Sequence, residues 1–484
     1  MNIIPFDLFQ NNIPRDIEYI ARTLNQKGFE VFLVGGAVRD MVLAEGYNKA
    51  NLKNSDFDFT TNAKPEEVIL MFNKKGKEKV FTIPTGIAHG TVTIVIFRDN
   101  TPHHYEITTY RVDHEYIDGR HPVSVHYSNS LLEDLSRRDF TINALAYDVF
   151  KKEIIDPFGG LTDLKNKVIR TVGEPLLRFQ EDGLRPIRAC RLAAQLEFKI
   201  EQNVLDAIPG VHHVISKVSA ERVHDELIKL MKARIPSIGL EYMRVTGILA
   251  LFMPELLEGY EVWQNEFHKY DVYRHNIYSC DAVNPSKPIV RLAALLHDIG
   301  KPRAKKYAEE SGNGNVFYNH EVIGEKITER ILRRLKFSNH EVRTIKKLVK
   351  LHMFYYTDEW SDGAVRRFLR KLNADSIELE DLFELRKADR IGSGMRTGEA
   401  DILDKFKKRI QKVIEEDNAL KVTDLDINGH DIMNHFKIGP SKLIGEMLEY
   451  MLQKVLDNPE LNEKEKLLKI GEDFIKKFSN EVKK

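Results

Sequence analysis

The sequence predicts an α+β protein, an α/β head followed by an all-helical remainder, and three observations predict it. Between Val31 and about residue 165, short apolar runs of strand length alternate with short helix-length segments. Beyond about 165, helical periodicity dominates and no strand run of comparable quality returns. At 484 residues the chain is too long for one core, so length suggests about three domains or a multi-lobed helical assembly.

Taken in order, residues 1–30 read as a helix leading into the apolar strand Val31-Phe32-Leu33-Val34. Gly35-Gly36 follows, a pair that lets backbone approach a ligand closely. Ala37-Val38-Arg39-Asp40 reads as a helix start whose free N–H groups suit a triphosphate. Asp56-Phe57-Asp58, flanked by Ser55 and Thr60, reads as an acidic strand. Residues two apart on a strand share a face, so the two carboxylates converge while Phe57 and Phe59 face the packed side. Such a pair alone is usually a solvated face or a turn. Beside a glycine turn and a helix start it becomes a candidate Mg²⁺ site, since Mg²⁺ takes one or two carboxylates and completes its octahedron with water and phosphates.

Ile94–Phe97, His104–Tyr110 and Ala146–Val149 read as further strands. Glu106, on the second, is either a third carboxylate facing the pair or a surface residue. Residues 111–122 are polar and punctuated by Gly119 and Pro122, the pattern of a long structureless connection with a functional role.

Strand, glycine turn, helix and acidic strand, in that order, resemble the polymerase-β-type nucleotidyltransferase head. Downstream, Arg137-Arg138-Asp139-Phe140-Thr141-Ile142-Asn143-Ala144-Leu145, then Asp156-Pro157-Phe158-Gly159-Gly160 with Asp163-Leu164, then Glu181-Asp182-Gly183-Leu184-Arg185-Pro186-Ile187-Arg188-Ala189 resemble successive motifs of the class II tRNA CCA-adding enzymes and their bacterial poly(A) polymerase relatives. The resemblance implies nucleotidyl transfer to the tRNA 3′ end from CTP and ATP. Asp56 and Asp58, with Glu106 as a further catalytic candidate, would hold Mg²⁺ in a two-metal arrangement. Gly35, Gly36, Ser55 and Arg39 would meet the triphosphate, and Arg137, Arg138 and Asp139 the sugar and phosphates, with Asn143 further along the same helix face. Arg188 is a further nucleotide-binding candidate. Asp182 and Arg185, three apart on one helix, would imitate base pairing: the carboxylate accepts from an exocyclic amine and the guanidinium donates to a ring acceptor. Without the family pattern these two are an ordinary salt bridge. Pro186 is expected to kink the helix there. Residues 111–122 correspond to the flexible loop that switches addition from C to A.

His275, His297-Asp298 and Asp389 form a second series on helices, and Ala294-Leu295-Leu296-His297-Asp298-Ile299-Gly300-Lys301 resembles the HD phosphohydrolase superfamily. Imidazoles with carboxylates suit Mg²⁺ or a transition metal such as Ni²⁺, Co²⁺ or Mn²⁺. His320 and His352 are first of all core histidines, with extension to a second metal as the alternative.

Lysine plus arginine balance aspartate plus glutamate, 73 against 73, so global charge does not announce a nucleic-acid binder. Residues 326–350 depart from the balance with nine Lys/Arg against two Glu, which reads as a solvated helix face or as a stripe for a phosphate backbone. Cys190 and Cys280, far apart, point to a reducing compartment and to neither disulfide nor thiolate zinc. With no signal-like start and no long apolar run, the expectation is a cytoplasmic protein without a membrane partner.

The expected organisation is a nucleotidyltransferase head (1–165), a helical neck (166–264), an HD domain (265–395) and a helical tRNA-binding tail (396–484). The expected activity is tRNA CCA addition with a possible HD phosphohydrolase. The alternatives are a poly(A) polymerase or A-adding enzyme, or an HD phosphohydrolase whose head holds RNA.

Overall fold

The computed structural model describes residues 2–10, 13–45, 57–73, 80–116, 122–264, 268–310, 317–354, 356–357, 359–373, 379–395, 400–416 and 422–481. The chain falls into two compact units, Met1–Pro254 and Glu255–Lys484.

The first unit is built on an eight-stranded sheet. Its strands are β1 (Asn2–Pro5), β2 (Val31–Val34), β3 (Asp58–Thr61), β4 (Val80–Gly86), β5 (Thr91–Arg98), β6 (Thr101–Thr109), β9 (Ala146–Asp148) and β10 (Glu153–Asp156), while β7 (Arg111–Tyr116) and β8 (Pro122–Tyr127) form a separate ribbon. The order across the sheet is β1-β10-β9-β2-β3-β6-β5-β4. All four residues of β2 are buried, as its unbroken apolar run requires of a central strand. β5 and β6 are joined at Asp99-Asn100, both with positive φ (49° and 62°), the signature of the tight turn whose twist matches antiparallel strands. β6 then runs parallel to β3 in a register that sets Asp58 opposite Glu106 and Phe59 opposite Ile107. Phe59 and Ile107 are buried, so one face of this pair is core and the other carries the two carboxylates.

Two expectations need correction here. The first thirty residues are not one helix: Asn2–Pro5 is an edge strand antiparallel to β10, and the helix is Arg15–Asn25, which buries Ile17, Ile20, Ala21 and Leu24 on one face. The partner of that edge strand lies about 150 residues downstream, where no local pattern points to it. Residues 111–122 are not structureless, since Arg111–Tyr116 pairs with Pro122–Tyr127; residues 117–121 lie outside the described residues. Ser55 and Asp56 also lie outside them.

The neck is helical as expected, with only two-residue strands at Val168–Ile169 and Lys199–Ile200. The second unit is helical throughout its described residues. Val272–Ala282, Pro288–Leu296, His320–Arg334, Asn339–Leu351 and Leu379–Gly392 surround the histidine series, and Asn284–Lys287 links the first two of them. Further on, Asp362–Asn373 and Ala400–Glu416 enclose an aromatic core in which Tyr356 stacks on Phe406 with centroids 4.1 Å apart. Gly429–Phe436, Lys442–Asp457 and Lys464–Glu481 share a core of Met447, Met451, Leu452 and Leu456. Among the described residues no helix is long and apolar enough to cross a membrane.

Candidate active site and candidate metal centre

In the head, Gly35 ends β2 with φ +77°, a conformation L side chains rarely adopt, and opens the helix Gly36–Leu43. A Cβ at Gly35 would lie 3.5 Å from Arg138 Nη1 and 3.6 Å from Asp58 Oδ2. The glycine turn, Asp58 and Arg138 therefore meet at one point, with Glu106 beside Asp58 across the ladder. Glu106 is exposed and Asp58 half-buried, leaving the carboxylate edge open to solvent.

Behind this edge, Asp134 is fully buried; it accepts from Arg137 Nη2 (2.6 Å) and Thr60 Oγ1 (3.0 Å) and lies 3.6 Å from Arg138 Nη2. Burial would raise its pKa, but Arg137 and Arg138 outweigh it and hold the carboxyl below the usual range. Asp139 Oδ1 accepts from the Phe140 amide (2.8 Å) and Asn143 Nδ2 (3.1 Å), and its Oδ2 lies 3.1 Å from Arg188 Nη1. Arg39 Nη1 donates to Asn143 Oδ1 (2.8 Å), joining the glycine-turn helix to the same network. The expected single helix through Arg137 and Asn143 is corrected: Arg137 caps the helix Leu131–Ser136, and Asn143 closes a separate 3₁₀ turn, Thr141–Asn143.

Asp182 and Arg185 also do not share a helix. Asp182 is extended (φ −146°, ψ 110°) after the helix Pro175–Glu181, and Arg185 is the second residue of Leu184–Leu196. Pro186 stands in that helix's first turn, where its missing N–H costs nothing, so it produces no kink. Nor do the two side chains pair. Asp182 is held by both Arg222 nitrogens (3.0 and 2.7 Å), a contact sequence reasoning missed, and Arg185 by Glu181 (2.5 Å) and the Arg137 carbonyl (2.9 Å).

In the second unit the predicted series converges. His275 Nε2 lies 3.2 Å from Asp298 Oδ2 and 3.3 Å from Asp389 Oδ1; His297 Nε2 lies 3.3 and 3.6 Å from the same atoms. His320 and His352 join them at the other carboxylate oxygen, Asp298 Oδ1, at 3.2 and 3.5 Å. Two triads of potential ligands, His275-His297-Asp298 and Asp298-His320-His352, thus share one bridging carboxylate.

Three of the imidazoles are fixed in the same way. Nδ1 of His297, His320 and His352 each sits 2.6–2.8 Å from the carbonyl three residues earlier, Ala294, Phe317 and Val349. Each ring donates from Nδ1 to that carbonyl, which turns Nε2 toward Asp298, the orientation a metal ligand needs. A Cβ at Gly300 would fall 2.1 Å from the His320 carbonyl, so the glycine permits the close approach of the helix that carries His320. Burial opposes ionisation of Asp298, yet His297 and Lys301, whose ammonium is 2.5 Å away, hold it well below the ordinary carboxylate range. Burial also pushes the His352 imidazole down to about 4, keeping it neutral. His268, whose ring packs edge-on against His275 at 5.1 Å, is a neighbour that sequence reasoning passed over; Lys301, three residues after Asp298, opens the next helix.

Three family models match the chain: the poly A polymerase head domain over residues 31–170, the RNA and SrmB-binding site of polymerase A over 197–259, and the tRNA nucleotidyltransferase domain 2 over 316–470. Among curated relatives, the CCA-adding enzyme of Enterococcus faecalis is 31% identical over 453 residues, 93% of each chain. That of Ligilactobacillus salivarius is 42% identical over 233 residues, 48% of this chain and 53% of the relative, so the stronger match spans about half of that relative's length. Among solved structures, the Bacillus stearothermophilus CCA-adding enzyme in complex with CTP superposes with a TM-score of 0.67 at 24% identity, covering 97% of this chain and 100% of the other. The Thermotoga maritima CCA-adding enzyme complexed with tRNA gives 0.51 at 20%, covering 98% and 100%. At these identities the superpositions speak for the fold.

Proposed function

The chain belongs to the CCA-adding enzyme family, and we propose that it adds C, C and A to the 3′ end of tRNA from CTP and ATP, without a nucleic-acid template. The observation that carries this reading is the meeting of Asp58, Glu106, Arg138 and the Gly35 turn at one open edge. Asp56, Asp58 and Glu106 offer an all-oxygen donor set that fits Mg²⁺. Bound there, the ion would neutralise charge developing on the attacking and leaving oxygens. The protein's own part is positioning and electrostatics. Arg39, with Ser55 and the amides after Gly35-Gly36, binds the triphosphate; Arg138, beside Asp58 at the Gly35 turn, meets a phosphate there; Arg137, Asp139, Asn143 and Arg188 hold the sugar end. Asp182 accepts from the exocyclic amine of cytosine or adenine and Arg185 donates to the neighbouring acceptor. Uracil and guanine present the reverse pattern and can satisfy neither group.

The experiment is incubation with tRNA lacking CCA, tRNA-C and tRNA-CC, each with CTP, ATP or both, reading product length. Growth that stops at CCA supports the reading. Long A tails would identify a poly(A) polymerase, and growth from tRNA-CC alone an A-adding enzyme.

A second activity is favoured by the convergence of four histidines on Asp298. The donor set of imidazoles and carboxylates fits a transition metal, Ni²⁺, Co²⁺ or Mn²⁺. We propose that this centre hydrolyses phosphomonoesters or 2′,3′-cyclic phosphates, with Asp298, Asp389, His275 and His297 as ligands and Lys301 placed to meet a phosphate oxygen. Activity assays of the metal-loaded protein on both substrate classes test it.

A further inference from the structure

Residues 320–351 carry nine Lys/Arg against four Glu, an excess of five positive charges in a chain that is neutral overall. They fold as two packed helices, His320–Arg334 and Asn339–Leu351, joined by a short turn whose Ser338 and Glu341 form a capping box. Ile327, Ile331 and Leu332 of the first helix, and Val342, Ile345 and Val349 of the second, are buried and define the inner face. Across the seam, Glu329 receives Lys346 (2.7 Å) and Glu325 receives Lys350 (2.8 Å). At about 100° per residue, this places Lys326 and Arg330 on one side of the seam and Arg343 and Lys347 on the other, all on the outer surface. Lys326, Arg330 and Arg343 are exposed, and among the described residues no carboxylate pairs with them.

The face therefore presents a pair of cations on each helix, the two of each pair one turn or about 6 Å apart along the axis, enough for neighbouring phosphates. At its open end, where His320 begins one helix and His352 follows the other, Tyr318 is 76% exposed and Val322 37%. A flat ring at the end of a basic track is the arrangement on which an unpaired base stacks while the backbone follows the charge. We propose that the outer face of this hairpin binds the phosphodiester backbone of RNA. The identity of that RNA as tRNA rests on the function proposed above.

The test measures binding of a tRNA transcript lacking CCA to the full chain by fluorescence anisotropy over a range of salt. In the variant carrying Lys326→Gln, Arg330→Gln, Arg343→Gln and Lys347→Gln, the Kd at low salt rises about 10–100-fold and the slope of log K against log salt becomes shallower by about 2–4. Saturating tRNA restores the rate of nucleotide addition. The pair Arg330→Gln with Arg343→Gln gives an intermediate slope and serves should the fourfold variant fail to fold, which its melting curve reveals. A folded variant with wild-type affinity and slope overturns the proposal. Failure of the wild-type chain to extend any tRNA, with the slope change still present, would remove the proposed addition activity and leave the RNA surface standing.

Discussion

In the head, Asp58 and Glu106 are brought side by side by backbone alone: two strands pair in parallel register, and the alternation of side chains puts both carboxylates on the open face. In the second unit the same task falls to side chains. His275, His297, His320, His352 and Asp389 come from separate helices or helix ends and reach Asp298 by packing, with three rings held by carbonyls one turn back. The consequence is chemical. The strand site is half-open, so phosphates and water can complete a coordination sphere around a hard ion. The helical site is closed and preorganised, the four histidines being at most 5% exposed, and its donors are softer.

The sharpest break of this comparison removes one ligand from each side. Asp58→Ala, or Asp56→Ala, is expected to reduce both C and A addition below about a hundredth of wild type, because metal ligation serves the chemical step, and to leave hydrolysis at the histidine centre intact. Retained addition in both would take these carboxylates out of the site. Asp298→Ala removes the carboxylate both histidine triads share. Transition-metal content measured by mass spectrometry and cyclic-phosphate hydrolysis should both vanish, with CCA addition within a few-fold of wild type; unchanged metal content would refute the centre. Treatment with a chelator followed by Mg²⁺ alone should then restore addition and not hydrolysis.

A smaller effect sharpens the head's side of the contrast. Arg185→Ala should lower the preference for CTP over UTP by on the order of 1–3 kcal/mol in transition-state terms, about 5–150-fold in the ratio of kcat/KM. Selectivity equal to wild type would move base reading elsewhere. Asp134→Asn, behind the same edge, leaves Arg137 and Arg138 without their buried partner and should cost about 3 kcal/mol of stability at pH 7. Because the folded carboxyl lies below its ordinary value, this stabilisation is present above about pH 4 and is lost as pH falls through the folded value. Denaturant melts at pH 7 and near pH 3 should show the gap between wild type and variant narrowing.

The parts legible in the sequence were those that local pattern encodes. The apolar run of β2, the glycine turn and the face shared by alternate residues near Asp58 follow from periodicity, and the histidine phrase from its spacing. What escaped depends on partners distant along the chain. Asn2–Pro5 is a strand only because β10 lies beside it, and residues 111–116 only because 122–127 return along them. Asp182 and Arg185 fit one helix by spacing, but the chain turns at Asp182 and Arg222, 40 residues on, takes its carboxylate. His320 and His352 carry no spacing signal at all, since only the packing of two helices brings their rings to Asp298.

The parallel register of β3 and β6 also limits how such a gene can drift in length. Gain or loss of a single codon between Thr101 and Glu106 would turn Glu106 toward the core beside Phe59 and expose an apolar residue in its place, whereas a change of two codons returns the same facing. Descent should therefore tolerate only even-numbered insertions and deletions along this strand. The loops between helices of the second unit carry no such parity, and lineages can lengthen them by any count.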